Sequence, residues 1–250
     1  MTLTPLVGIP LIEAGDDLAS IILDSLDRSG IELVDGDVLV VAQKIISKAE
    51  GRQVDLRRVQ PTEDAKRLAS MTGKDPRQVE MVIQESNQIL RSRPGTIIVE
   101  HRLGFICANA GIDRSNVLGD EQNWVLLLPV DPDASADNLR ARLEGASDVC
   151  IGVLIIDSHG RAWRLGTVGI TIGISGLPGV VDLRGRPDLY NFHLQITEVG
   201  AADELAAAAS LVMGQASEGT PVVHVRGFPY ELRESSLGEL LRPKDQDLFR

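Results

Sequence analysis

The 250-residue sequence predicts an α+β protein of mixed α/β architecture with partly antiparallel sheets. Strand-length apolar runs and helix-length amphipathic segments alternate along the chain. Three short apolar runs, TIIVE, GFICANA and NWVLLLP, follow one another across connections too short for crossover helices, so part of the sheet is antiparallel. A near-continuous apolar run, VCIGVLIID, has the length and composition of a strand covered on both faces.

The first element is an apolar stretch from Leu6 to Ile12, read as a strand, followed by the turn Gly15-Asp16-Asp17. Asp16 or Asp17 caps the next helix, where Leu18, Ile21, Ile22 and Leu26 recur at spacings of three and four before Gly30 stops it. Asp35-Gly36 is a turn signal ahead of a short buried strand, Val38 to Val41. The polar segment QKIISKAEG follows directly, and strand ends in α/β sheets open onto clefts. From about residue 61 to 92 the spacing predicts helix, with Pro61 near the start and Val79, Val82, Ile83 and Ile89 as a packing stripe.

TIIVE, GFICANA and NWVLLLP are then expected as strands of one sheet. ASADNLRARLEG predicts a helix packed through Ala136, Leu139 and Leu143, and VCIGVLIID a central strand ending on Asp157. The glycine-rich VGITIGISGLPG lacks the Gly-Lys-Ser/Thr ending of a phosphate-binding loop and reads as a strand crossing close to backbone or ligand. A strand from Asn191 to Val199, an alanine-rich helix AADELAAAASLVMG and an apolar strand PVVHVRG complete the chain.

With 43% hydrophobic residues, the chain can bury a full core, as one large domain or two interlocked lobes. The net charge of -11 disfavours polyanion binding and aromatic content is 3%, so nucleic acid is not an expected partner. No run reaches the roughly 18 apolar residues of a membrane helix. The N-terminus lacks a basic start and a signal-peptide cleavage site, so a cytoplasmic protein with no membrane partner is expected. Cys107 and Cys150 lie in apolar runs and are expected as buried, reduced thiols. With His101, His193 and His224 they show no zinc spacing.

Two segments carry chemistry. AGIDRSNV places Asp113 and Asn116 after one apolar strand, and IIDSHGRAWRLG places Asp157, Ser158 and His159 at the end of another. Oxygen donors on two strand ends suit Mg²⁺ or Mn²⁺, although the same aspartates also suit turn caps. His159 reads as a ligand, a base, a phosphate contact or a solvent-exposed turn histidine before Gly160. Lys44 and Lys48 follow the Val38 strand and Arg161 and Arg164 follow Asp157, either as solvated charge or to neutralise a triphosphate or an anionic acceptor.

Together GIPLIEAGDDL, VVAQKIISKAEG, ITEVGAADELAAAASLVMG and the pair AGIDRSNV with IIDSHGRAWR resemble the coenzyme F420-0:L-glutamate ligases, the gamma-glutamyl ligases, from Leu6 to LLRPKDQDLF. The resemblance implies one ligase domain over residues 1–250, a mixed α/β fold specific to that family and an intertwined homodimer. It implies GTP as co-substrate, Mg²⁺ or Mn²⁺ with K⁺, and an acyl phosphate through which L-glutamate joins the lactyl carboxylate of F420-0, with later glutamates gamma-linked. Asp113 and Asp157 are then the catalytic metal ligands; Ser158, where threonine is usual, keeps the hydroxyl, and Gln215 lies near a second metal or the GTP phosphates. Leu11, Ile12, Glu13 and Ala14 match the guanine-nucleotide segment, Gln43 and Lys48 a second nucleotide segment, and Asn116 a further GTP contact. His159 departs from the commoner phenylalanine, which bears on acceptor fit. Two rivals are a ligase for a related phosphorylated acceptor and a non-catalytic metal- or nucleotide-binding regulator; the presence of both aspartates argues against the second.

Overall fold

Val38, Leu39, Val40 and Val41 are each fully buried, as a strand covered on both faces requires, and each such side chain contributes roughly 2 kcal/mol by leaving water. They form β2 (Val38–Ala42) in a computed structural model that describes residues 1–117, 119–120 and 122–248. Phe249, at the end of the LLRPKDQDLF match, lies outside the described residues.

In chain order the strands are β1 (Thr2–Pro5), β2, β3 (Gln53–Asp55), β4 (Ser86–Arg93), β5 (Thr96–His101), β6 (Ile106–Ala108), β7 (Trp124–Leu126), β8 (Gly152–Arg161), β9 (Arg164–Ser175), β10 (Val181–Asp182), β11 (Glu198–Val199) and β12 (Val222–Arg226). The helices are α1 (Leu18–Arg28), α2 (Gln43–Ala49), α3 (Glu63–Thr72), α4 (Pro76–Gln84), α5 (Pro132–Ser147) and α6 (Ala201–Met213). The main sheet runs β1-β12-β2-β8-β9, with β2 and β8 parallel and the other pairs antiparallel. One face packs Leu39, Val41, Val153 and Ile155 against α1 and α5. The other packs Val38, Val40, Leu154 and Ile156 against α6. The mixed α/β, partly antiparallel class is therefore the one the sequence predicts.

Several local expectations are corrected. The opening strand is Thr2–Pro5 rather than Leu6–Ile12. The Leu6 amide still donates to Val222 O at 2.9 Å, but Gly8 turns with positive φ and Pro10 has no amide to donate, so the ladder stops. Asp17 caps α1, accepting from the Ser20 amide, as one of the two expected caps. QKIISKAEG is the helix α2 with its following turn. The single helix expected over 61–92 is two helices and a strand: Gly73, at φ 67°, ends α3, Asp75 caps α4, and Pro94-Gly95 closes the β4–β5 hairpin, placing Ile89 in β4.

TIIVE and GFICANA lie in the β4-β5-β6 sheet, whereas NWVLLLP forms β7 against β3, so they do not share one sheet. β8 is interior, but β2 is the middle strand, and β8 continues through Asp157 to Arg161 because β9 keeps pairing with it. The Asn191–Val199 strand shrinks to Glu198–Val199; Asp188 accepts from the amides of Tyr190 and Phe192 and holds a turn instead. Cys107 is buried and its thiol is pushed up to about 12 by burial and by Asp157; Cys150 is exposed, and both are free.

The glycine-rich strand does cross close to backbone. A Cβ on Gly169 would stand 2.5 Å from Ala206 O in α6, and one on Gly173 2.5 Å from Pro132 O in α5. Glycine at these two positions lets both helices seat on β9.

Candidate functional site

In the parallel pair, Ala42 lies opposite Ile156, so the first residues of α2 and the segment from Asp157 leave the sheet side by side. The carboxyl ends of parallel strands are where open α/β sheets form clefts. A cavity of about 560 Å³ opens here, within the size of small-molecule sites. Its walls are the Ile9–Glu13 segment, Gln43, Lys44 and Lys48 of α2, Ile156, Asp157 and Ser158 of β8, and the end of α6 with the loop to Pro221.

Leu11, Ile12, Glu13, Gln43, Lys48, Asn116, Asp157, Ser158 and Gln215 all line this cavity. Ala14 is not among the lining residues; it turns toward Gly51, where a Cβ would stand 3.7 Å from its own. Asp113 also stands behind the lining, held by Gln43 Nε2, which donates to its Oδ2 at 2.7 Å, and by Lys44 Nζ at 3.5 Å. Gln43 is 1% exposed and its Oε1 accepts from Ser47, so it holds Asp113 more directly than it offers a nucleotide contact. Asn116 takes the left-handed region, at φ 56°, and its Nδ2 donates to Ala216 O at 3.3 Å, tying the Asp113 loop to the loop after α6.

The electrostatics of the cleft are unbalanced. Burial and the neighbouring charge of Asp157 push the Asp113 carboxyl up to about 6, against the pull of Lys44 and Gln43. Burial and Lys44 hold the Lys48 ammonium below the ordinary lysine value, and among the described residues Lys48 has no ion-pair partner. A partly buried cation facing a cavity beside two crowded carboxylates is arranged for a ligand that carries both anionic and cationic parts.

Among the described residues no cluster of three or more His, Cys, Asp or Glu side chains is poised to hold a metal, so there is no all-protein cage. The donors present are two carboxylates with the Ser158 hydroxyl and the Gln215 amide oxygen, which bond each other at 2.7 Å. That oxygen set fits a hard divalent cation of the Mg²⁺ type, which binds through one or two carboxylates and keeps waters and substrate phosphates.

His159 is 7% exposed within β8, its Nε2 2.8 Å from Asp157 Oδ2, so the solvent-exposed turn histidine is corrected. The strand runs on past Asp157, which puts residues 157 and 159 on one face. Arg161 and Arg164 pair across the hairpin tip and do not line the cavity, so neither neutralises a ligand there. Sequence reasoning missed Ser210, which accepts from Gln215 Nε2 at 2.8 Å, and Ser115, whose hydroxyl accepts from Lys44 at 2.8 Å. Both lie inside quoted segments, Ser115 in AGIDRSNV and Ser210 in AADELAAAASLVMG, where a lone serine carries no signal of its own.

Fold and cleft together define an α+β protein with its ligand cavity at the carboxyl ends of two parallel strands. The chain belongs to the F420-0:Gamma-glutamyl ligase family, whose sequence profile matches residues 7–227. It is 46% identical to the coenzyme F420:L-glutamate ligase of Methanothermobacter thermautotrophicus, over 97% of this chain and 96% of that one. Identity to the ligases of the same name is 46% in Methanopyrus kandleri, over 96% of this chain and 93% of that one, and 44% in Archaeoglobus fulgidus, over 98% and 95%.

Proposed function

We propose that the protein is a GTP-dependent ligase that joins L-glutamate to coenzyme F420-0 through an acyl phosphate and adds further glutamates in gamma linkage. The relatives' names supply the reaction class, and one observation carries the energetics: a Lys48 ammonium with no ion-pair partner among the described residues shares a cavity with Asp157, which crowds Asp113.

In this reading the acceptor carboxylate attacks the γ-phosphorus of GTP, GDP leaves, and the glutamate amine attacks the acyl carbon, releasing phosphate and a proton. The first step brings two anions together, so charge must be screened where they meet. Lys44 and Lys48, one turn apart on α2, supply fixed positive charge on the triphosphate side. Asp113, Asp157, Ser158 and Gln215 would hold Mg²⁺ or Mn²⁺, with K⁺ beside it, and the bound ions would supply positive charge to the phosphoryl oxygens. Ile9, Ile156 and Met213 make part of the lining apolar, which limits hydrolysis of the acyl phosphate. Glu13 lines the cavity in the segment that matches the guanine site. A carboxylate there accepts from guanine N1–H and the adjacent 2-amino group, a donor pair adenine lacks because its N1 is an acceptor and its amine is on C6.

The protein acts as a cytoplasmic homodimer in this reading. Trp163 and Leu165 on the β8–β9 hairpin are 88% and 99% exposed, and Leu189, Tyr190 and Ile196 between β10 and β11 are 98%, 89% and 86% exposed. Apolar side chains in such number are what a second copy would cover.

The test is anaerobic turnover with F420-0, L-glutamate, GTP and Mn²⁺, following GDP and product mass for the wild type and Asp157→Ala. Glutamate-dependent product that disappears in the variant is expected. Folded dimer that forms no product overturns the F420-0 assignment, and GTP cleavage with another acceptor would select the related-acceptor ligase.

A further inference from the structure

Asp157 has one partner of unusual placement. His159 lies two residues on along the same face of β8, and its Nε2 is 2.8 Å from Asp157 Oδ2. Nδ1 is buried and, among the described residues, has no hydrogen-bond partner. A carboxylate oxygen only accepts, so at this distance the Nε2–H is the donor and Asp157 Oδ2 the acceptor.

The ring itself is fixed from behind. Phe105 packs against it at 5.3 Å and 54°, and His101 stacks on Phe105 at 5.1 Å and 4°. His101 is pinned in turn, since its Nδ1 accepts from the Leu103 amide at 3.1 Å. Among the described residues Asp157 Oδ1 takes no hydrogen bond, so one oxygen of the carboxylate is tied down and the other is free.

We propose that His159 is a positioning residue: its Nε2–H fixes Asp157 Oδ2 and leaves Oδ1 as the oxygen offered to the divalent cation. The inference rests on the cation reading above and adds to it a residue that the resemblance marks only as a departure. An imidazole N–H donated to a ligating carboxylate fixes the carboxylate's orientation before the cation arrives, so less ordering is left to do on binding.

The experiment measures Mn²⁺ binding to the full-length protein by electron paramagnetic resonance in the presence of GDP, with turnover and unfolding midpoint recorded beside it. His159→Phe keeps an aromatic ring against Phe105 and deletes the donor; His159→Gln deletes the ring and keeps an N–H of similar reach. The expected result is Mn²⁺ affinity weakened about 10-fold or more in His159→Phe at an unchanged unfolding midpoint, and restored to within about 3-fold of wild type in His159→Gln. Wild-type affinity in His159→Phe, with binding lost in Asp157→Asn, overturns the positioning role alone. Binding unaffected by Asp157→Asn, or absent in the wild type, overturns the cation reading beneath it. Affinity lost equally in the Phe and Gln variants would show that an N–H at this position does not restore the site, and also overturns the proposal.

Discussion

At the amino end of β2, Asp37 is 1% exposed and fully partnered: it accepts from the Val34 amide, from His224 Nε2 at 2.8 Å, and from a two-pronged Arg226 at 2.9 and 2.7 Å. Burial opposes its charge, but Arg226 and His224 outweigh burial and hold the carboxyl below the usual aspartate range. At the carboxyl end of the same strand, Asp113 has Gln43 and Lys44 but also the charge of Asp157, and its carboxyl is pushed up. A satisfied carboxylate therefore lies at one end of β2 and a crowded pair, from β8 and the segment after β6, lies near the other. The satisfied charge is scaffold. The crowded pair sets one carboxylate against the charge of the other, and it lies where the parallel strands open their cleft.

The comparison can be broken at either end. Asp37→Ala leaves His224 buried without its carboxylate and is expected to destabilise the fold by about 3 kcal/mol, read by urea unfolding at neutral pH. Because the folded Asp37 carboxyl titrates below its unfolded value, its stabilisation is present above the ordinary aspartate pKa and is lost as pH falls through the folded value. The gap between wild type and variant should thus close in acid; a gap that stays constant would mean the loss was packing and not charge.

Gly169→Ala tests whether the glycine holds α6 against the site. Its Cβ would meet Ala206 O at 2.5 Å and Ser210 Cβ at 2.6 Å. A cost of about 2 kcal/mol is expected, with a drop in turnover larger than the stability loss explains, because Ser210 anchors Gln215 and Gln215 anchors Ser158. Unchanged unfolding and turnover would show that α6 yields without moving the site.

Lys48→Ala should lower kcat/KM for GTP roughly 10-fold, about 1.4 kcal/mol, while leaving the unfolding midpoint unchanged, because among the described residues no ion pair is lost with the ammonium. A variant that uses GTP as well as the wild type would return Lys48 to ordinary solvated charge.

How much of this was legible in the sequence depended on whether the signal was local. β2, α1 and α5 were, because buried valines, a capping aspartate and an alanine-leucine stripe each report their own environment. The run from 61 to 92 was not, because the Pro94-Gly95 turn that makes β4 a strand depends on pairing with β5. Asp157 and Ser158 were flagged, yet the strand was ended at Asp157, and that one error hid the shared face with His159. Asp113 was recognised as chemistry, but that it stands behind Gln43 and Lys44 is a long-range fact no local pattern carries.

The most direct test is turnover of Asp113→Asn on a preparation whose unfolding midpoint has been measured. Neutralising one member of the crowded pair while keeping an acceptor for Gln43 should stabilise the fold by about 1 kcal/mol. The same change should cut ligation of glutamate and GDP release about 1,000-fold, because a cation holding the phosphates would lose one of its carboxylates. A variant that is less stable than wild type, or that turns over at the wild-type rate, would show that Asp113 is scaffold like Asp37 and would contradict the division of labour between the two ends of β2.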